Sequence, residues 1–180
     1  MIILVVSAVA IQNISGSLQA SSADSAAQLV QQDMRLARQS AISDRLVYRL
    51  TFNTPGGIVM DKIATISTVS GATITVSQTV TNVSNDAIPS TVTFHCEPGI
   101  PLDPDGFGSV TVPVSFNGYN QVFFQPDGSG RDTNGKVANG VVFVGVPGDL
   151  STSRSVTLWG STGQVHLYKL YSGSGSWYWK

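Results

Sequence analysis

The sequence predicts an α+β fold in which a long N-terminal α-helix precedes an antiparallel β-sandwich head. The first observation is that residues 15–43 contain no proline and a single glycine, so one helix can continue to about residue 42. The second is that the apolar period changes from helical to alternating after residue 44, where Gly, Ser, Thr and Val dominate. We therefore divide the chain into a hydrophobic-to-amphipathic helix, residues 1–44, and a β-rich globular head, residues 45–180.

Composition excludes several classes of protein. The 180 residues carry eleven acids and ten bases, a net charge of −1, without a long run of either sign. Such a balance gives no strong electrostatic footprint for nucleic acid. Cys96 is the only cysteine, so an intrachain disulfide and a zinc site built on several thiols are both ruled out.

The N-terminal segment, residues 1–14, is uncharged and almost entirely apolar. A bilayer core requires roughly 20 apolar residues in helical form, and this segment supplies about two-thirds of them. Such a helix end needs lipid or the packed centre of an assembly. The residues expected to make these contacts are Ile2, Ile3, Leu4, Val5, Val6, Val9 and Ile11.

The second half of the helix is amphipathic. Apolar residues recur there at spacings of three and four and predict one buried stripe that lies on a sheet. The stripe consists of Leu29, Val30, Met34, Ala37 and Ala41.

The head is expected to contain roughly eight to ten strands. Residues 117–120 predict a hairpin turn between two of them, and residues 141–146 predict a central buried strand. The expected strands cover residues 45–52, 58–66, 72–80, 90–96, 109–116, 121–125, 141–146, 153–159 and 164–171.

Three stretches in this order carry a resemblance to a known family. They are the apolar residues 1–14, the helix end DMRLARQSAI at residues 33–42, and FQPDGSG at residues 124–130 followed by an apolar strand and the GQVHL hairpin at residues 163–167. This order resembles the type IV pilins and the pseudopilins of type II secretion, and within them the GspH/FimT family of minor pilins and pseudopilins.

The resemblance implies a structural filament subunit, expected to be a minor one. Its helix would anchor it in the inner membrane with a periplasmic head, and would then pack against other pilin or pseudopilin subunits in a periplasmic or extracellular filament. In that family a leader ending in Gly, an aromatic residue and a glutamate precede this helix, whereas nothing precedes Met1 here. We expect that about six residues are missing; the alternative is a member that lacks the glutamate. Cleavage by a prepilin peptidase, with methylation of the new N-terminus, is implied by the resemblance.

No arrangement of residues predicts catalysis. His95 and Cys96 are neighbours in a strand-like segment, where adjacent side chains point to opposite faces and do not converge. The chain is therefore not expected to be an enzyme, and Cys96 is expected to be a small buried residue.

Two acidic loops leave a choice between turn chemistry and a cation site. Carboxylates at short spacing around glycine suit calcium, which takes six to eight oxygen ligands. Asp-Gly and Asn-Gly are also ordinary turn sequences, and Arg131 would repel a cation, so turns are favoured. The candidate calcium ligands are Asp103, Asp105, Asp127, Asp132 and Asn134. No other cofactor is expected.

Two alternative functions stay open. The first is a DNA-binding minor pilin of a competence or DNA-uptake pilus, with Arg154, Lys169 and Lys180 as candidate phosphate contacts. Phosphate affinity comes from several cations, and this stretch offers few, which weakens the idea. The second is a soluble ligand-binding β-sandwich domain whose first residues are a targeting remnant.

Overall fold

A computed structural model describes the backbone of residues 2–70, 73–173 and 175–180, and the side chains of residues 16–65, 77–173 and 175–180. Helix α1 spans Ile2–Asp44 without interruption. The strands are β1 (Val47–Asn53), β2 (Gly57–Ser70), β3 (Thr73–Ala87), β4 (Thr93–Phe94), β5 (Val114–Phe116), β6 (Gln121–Phe124), β7 (Gly130–Arg131), β8 (Gly140–Gly145), β9 (Arg154–Trp159), β10 (Gln164–Gly173) and β11 (Ser176–Trp179). A short 3₁₀ helix, Leu150–Thr152, lies between β8 and β9.

The strands form two antiparallel sheets. The first has the order β3-β2-β1-β6-β7, and the second has the order β11-β10-β9-β8-β4, with β5 also paired to β8. One N-terminal helix followed by two antiparallel sheets confirms the α+β class. Within the part of the chain that the structure describes, no helix is long and apolar enough to cross a membrane.

The main core lies between the helix and the inner faces of both sheets. Helix residues from Ala23 to Ala41 share one cluster of buried side chains with Leu50 of the first sheet and Val142 and Leu158 of the second. Phe52 joins the two sheets, because its ring packs edge-on against Phe94 and stacks on Phe116. The core therefore requires all three elements at once.

Strand β8 of the second sheet is buried on both faces. Val142 and Val144 of β8 point into the main core, whereas Val141 and Phe143 point into a smaller cluster on the outer face. Every residue of β8 is consequently buried. This is the physical reason for the continuous apolar sequence at residues 141–146, which the sequence interpretation assigned to a central strand.

Two expectations about the strands are wrong. The strands expected over residues 90–96 and 109–116 are only the two residues of β4 and the three residues of β5. Strand β5 begins directly after Pro113, which has no N–H to donate, and Val112 before it is 45% exposed. The eleven strands of the described chain also exceed the eight to ten expected.

The turn at residues 117–120 does not join a hairpin. Phe116 and Tyr119 exchange main-chain hydrogen bonds of 2.8 and 3.1 Å, so a tight turn does form. However, β5 pairs with β8 in the second sheet, and β6 pairs with β1 in the first. The turn therefore carries the chain from the second sheet to the first. Phe116 and Phe124, on its two sides, both bury their rings in the core that the sheets share.

Candidate functional site

One set of predicted site residues lies at the contact between helix α1 and the head. Val30, Met34, Ala37 and Ala41 are fully buried in the main core, and Leu29 is partly buried against it. Their spacing of three and four puts them on one face, and small alanines let the backbone approach the sheets closely. The seven apolar residues predicted for filament packing, Ile2 to Ile11, have side chains outside the described residues; only their helical backbone is described.

A buried arginine fastens the helix to the head. Arg154 begins β9 on the same inward-facing side as Val156 and Leu158, and it is 0% exposed. Its Nε donates to Asp24 Oδ1 of the helix at 2.5 Å. Its Nη1 donates to the main-chain oxygens of Ser151 at 3.1 Å and Ser153 at 2.9 Å. Its Nη2 has no partner within the described residues.

Asp24 carries the charge that makes this burial tolerable. Partial burial acts to raise the pKa of Asp24, but the hydrogen bond and charge of Arg154, with help from Lys169, outweigh it and hold that pKa below its ordinary value. Lys169 Nζ lies 3.5 Å from Asp24 Oδ2. Sequence reasoning missed this role, although Asp24 is the only charged side chain in residues 1–32. Arg154 alternates with Val156 and Leu158 on one face of the strand. This position in the sequence indicates that Arg154 is buried and therefore needs an acidic partner.

The three residues predicted to bind DNA are brought together but are not equally available. Arg154 pairs with Lys169 across β9 and β10, and Lys169 pairs through the main chain with Lys180, so the three form a row across the sheet. Arg154 is a correction to the DNA prediction: it is completely buried and its donors are directed at Asp24 and main-chain oxygens. A phosphate outside the fold has no access to it.

The first acidic loop is held by turn hydrogen bonds. Asp103 accepts from the main-chain N–H groups of Phe107 at 3.0 Å and Gly108 at 2.8 Å. Asp105 accepts from the hydroxyls of Thr157 and Tyr168 on the outer face of the second sheet. These two carboxylates thus fasten a loop over the smaller hydrophobic cluster.

The second acidic loop uses its carboxylates in the same way. Asp127 accepts from the N–H and hydroxyl of Ser129, and Asp132 accepts from the N–H groups of Asn134 and Lys136. The Asn134 amide donates to Tyr119 Oη at 2.9 Å. No group of three or more His, Cys, Asp and Glu side chains suited to a metal occurs among the described residues. Calcium binding stays a prediction, with most of its candidate oxygens already accepting protein donors.

The cysteine and histidine segment has the geometry of a structural element. Burial raises the pKa of the Cys96 thiol to about 12, which disfavours the nucleophilic thiolate at neutral pH. His95 Nε2 lies 3.0 Å from Glu97 Oε1, so the histidine pairs within its own loop.

An uncompensated carboxyl group lies in the helix stripe. Asp33 is 5% exposed, and its Oδ2 has no partner among the described residues. Burial, and secondarily the negative charge of Asp86, raise the pKa of Asp33 to about 6. Asp33 therefore destabilises the helix contact when it is ionised.

A cavity of about 590 Å³ separates the helix end from the terminal hairpin. Its walls come from one face of α1 and from the start of β10. The lining residues are Arg35, Arg38, Gln39, Ile42, Ser43, Gly163, Gln164, Val165 and His166. Sequence reasoning missed this cavity because its two walls are far apart along the chain.

The fold and these contacts define an α+β domain whose long helix is fixed to two antiparallel sheets by apolar burial and a buried ion pair. No family model matches the chain, and neither a curated protein nor a solved structure matches it.

Proposed function

We propose that this chain is a structural subunit, of the minor kind, in a filament of the type IV pilus or type II secretion pseudopilus class. One observation carries the proposal: a single uninterrupted helix, Ile2–Asp44, in which Ala23 is the first buried residue among the side chains described from residue 16 onward. About 30 Å of helix precedes Ala23. That length contains the uncharged apolar segment, residues 1–14.

The outer side of the helix also offers apolar contacts. Leu18 is 63% exposed and Leu36 is 50% exposed. The two are about five helical turns apart and so lie along the same face. Helix-to-helix packing in a filament would cover such residues, whereas an isolated domain leaves them in water.

In this proposal the helix anchors the chain in the inner membrane, with the head in the periplasm, until assembly. It then packs among the helices of other subunits and displays the head outward. A prepilin peptidase would process the precursor, as the family resemblance implies. The DNA-uptake alternative is weakened because Arg154, one of its three candidate phosphate contacts, is buried.

The proposal is tested by placing a charge in the apolar segment of the full-length protein. Val6→Asp and Val9→Asp each require a carboxylate to enter lipid or packed helix, which is costly unless it is paired. We expect both variants to be lost from sheared filaments on immunoblots while the head unfolds at the same denaturant concentration as the parent. Thr91→Asp, on an exposed loop of the head, is the matched control and should assemble.

Normal incorporation of both Val6→Asp and Val9→Asp would overturn the proposal. Deletion of residues 1–20 separates the proposal from the soluble-domain alternative. A filament subunit loses its function with that deletion, whereas a ligand-binding β-sandwich keeps it.

A further inference from the structure

The cavity between the helix and the terminal hairpin has an unusual charge. Arg35 and Arg38 are three residues apart, so both guanidinium groups lie on the helix side that borders the cavity. No acidic side chain is among the residues that line it. Two carboxylates lie beside lining residues: Asp105 Oδ2 is 3.6 Å from His166 Nδ1, and Asp127 precedes Gly128, whose main-chain oxygen contacts Arg38.

The two arginines keep free donors. Arg35 is exposed and makes no hydrogen bond or ion pair with any described residue. Arg38 uses only its Nε, which donates to the main-chain oxygen of Gly128 at 3.2 Å. This bond holds the Arg38 side chain in place and leaves both terminal nitrogens available. A guanidinium pair with free donors suits the paired oxygens of a carboxylate.

A free strand edge borders the same cavity. Residues 164–169 of β10 pair with β9 on one side. On the other side β11 pairs only with residues 170–173, and Lys180 extends that pairing to Lys169. No described strand therefore covers the second edge of residues 164–168. The main-chain oxygen of Val165 accepts from the Gln31 side-chain amide at 3.5 Å, so a peptide must displace this long contact or pair beside it. An extended peptide can pair with such an edge through its main chain.

The apolar part of the cavity also fits a peptide. Ile42 and Val165 contribute aliphatic surface between the arginines and the strand. The volume of about 590 Å³ is within the range of sites that bury a small ligand. A nucleic acid would need a longer series of cations than two arginines and one histidine supply.

We propose that this cavity binds an extended acidic segment of another protein chain. Its carboxylates pair with Arg35 and Arg38, and its main chain lies along the free edge of β10. This inference does not depend on filament assembly, because it rests only on the walls of the cavity.

The test measures fluorescence anisotropy of a labelled peptide of alternating threonine and glutamate, titrated with the full-length protein at low salt. A matched threonine–glutamine peptide reports the contribution of the carboxylates. We expect the glutamate peptide to bind at least about tenfold more tightly than the glutamine peptide.

The variants are Arg35→Gln alone and Arg35→Gln with Arg38→Gln. Arg131→Gln with Lys136→Gln removes the same charge from residues that do not line the cavity, and is the control for the double variant. We expect the double variant to lose about tenfold or more in affinity and the control to stay within about twofold. Arg35→Gln leaves the Arg38 bond to Gly128 intact, so it keeps the test valid if the double variant unfolds.

Equal affinity for the two peptides, no binding of either, or equal losses in the double variant and its control would each overturn the proposal. Inorganic phosphate is the competitor that identifies a small-anion site. If phosphate displaces the peptide at equal concentration, the cavity binds oxyanions alone and the peptide assignment is wrong.

Discussion

Removing the carboxylate of Asp24 should weaken the attachment of the helix to the head. In Asp24→Ala, Arg154 keeps its bonds to the main-chain oxygens of Ser151 and Ser153, but its Nε loses its acceptor and its charge stays inside the fold. Breaking a buried pair in this way costs about 3–5 kcal/mol. Asp24 itself is 40% exposed, so water can enter where the carboxylate was and reduce the cost. We expect a loss of about 2–3 kcal/mol in the free energy of unfolding.

The assay is urea unfolding of the full-length protein, with Asp24→Ala made alone and in an Arg154→Met background. Methionine replaces the buried guanidinium by an apolar side chain of similar length, so no charge is left to satisfy. In that background Asp24→Ala should cost less than about 1 kcal/mol, since only the exposed contact with Lys169 remains. Gln28→Ala, at an exposed position of the same helix, controls for helix propensity.

The pH dependence of the same pair has a defined sign. Because the folded-state pKa of Asp24 lies below 3.8, its stabilising effect is present above that pH and is lost as the pH falls through the lower folded value. An equal cost of Asp24→Ala with and without Arg154 would refute the coupling on which this reasoning depends.

Two further predictions concern the helix stripe and the terminal hairpin. The pKa of Asp33 is raised from 3.8 to about 6, so the free energy of unfolding should fall as the pH rises through this window, by at most about 3 kcal/mol. The Asp33→Asn variant should be more stable than the parent at pH 7 and should lose that advantage below pH 4. A stability difference that does not change with pH would contradict this prediction. In thermal unfolding, Gly163→Ala should be more destabilising than Gly106→Ala by about 1–3 kcal/mol. Both glycines have positive φ, but of the two only Gly163 would bring a Cβ against neighbouring atoms, the Gly128 oxygen and Arg38. Equal costs for the two variants would show that this contact is unimportant.

The parts of the fold that sequence reasoning could predict are those with local periodicity. The helix and its buried stripe repeat with the helical period, and the buried strand at residues 141–146 is a short continuous apolar run, so each pattern is local. The same reasoning was wrong at residues 109–116. A strand was expected over all eight residues, but which of them find a partner depends on β8, which is distant in the sequence.

Sequence reasoning located charged groups without their partners. Arg154 was interpreted as an exposed phosphate contact, and the structure buries it against Asp24, which is 130 residues away. The acidic loops were interpreted as turns or cation sites, and their carboxylates bond to N–H and hydroxyl groups, some in their own turns and some on the second sheet.

The sequence by itself determined the element types, the helix face that is buried and the change from helix to sheet near residue 44. These follow from the side-chain period, which is local and survives without knowledge of the neighbours. Only the tertiary structure decided that β5 and β6 enter different sheets, that Arg154 is paired, and that Arg35 and Arg38 line one cavity with the start of β10. Each of these depends on which distant segments share one core, because burial changes the energy of a charge or a strand edge far more than its sequence neighbours do.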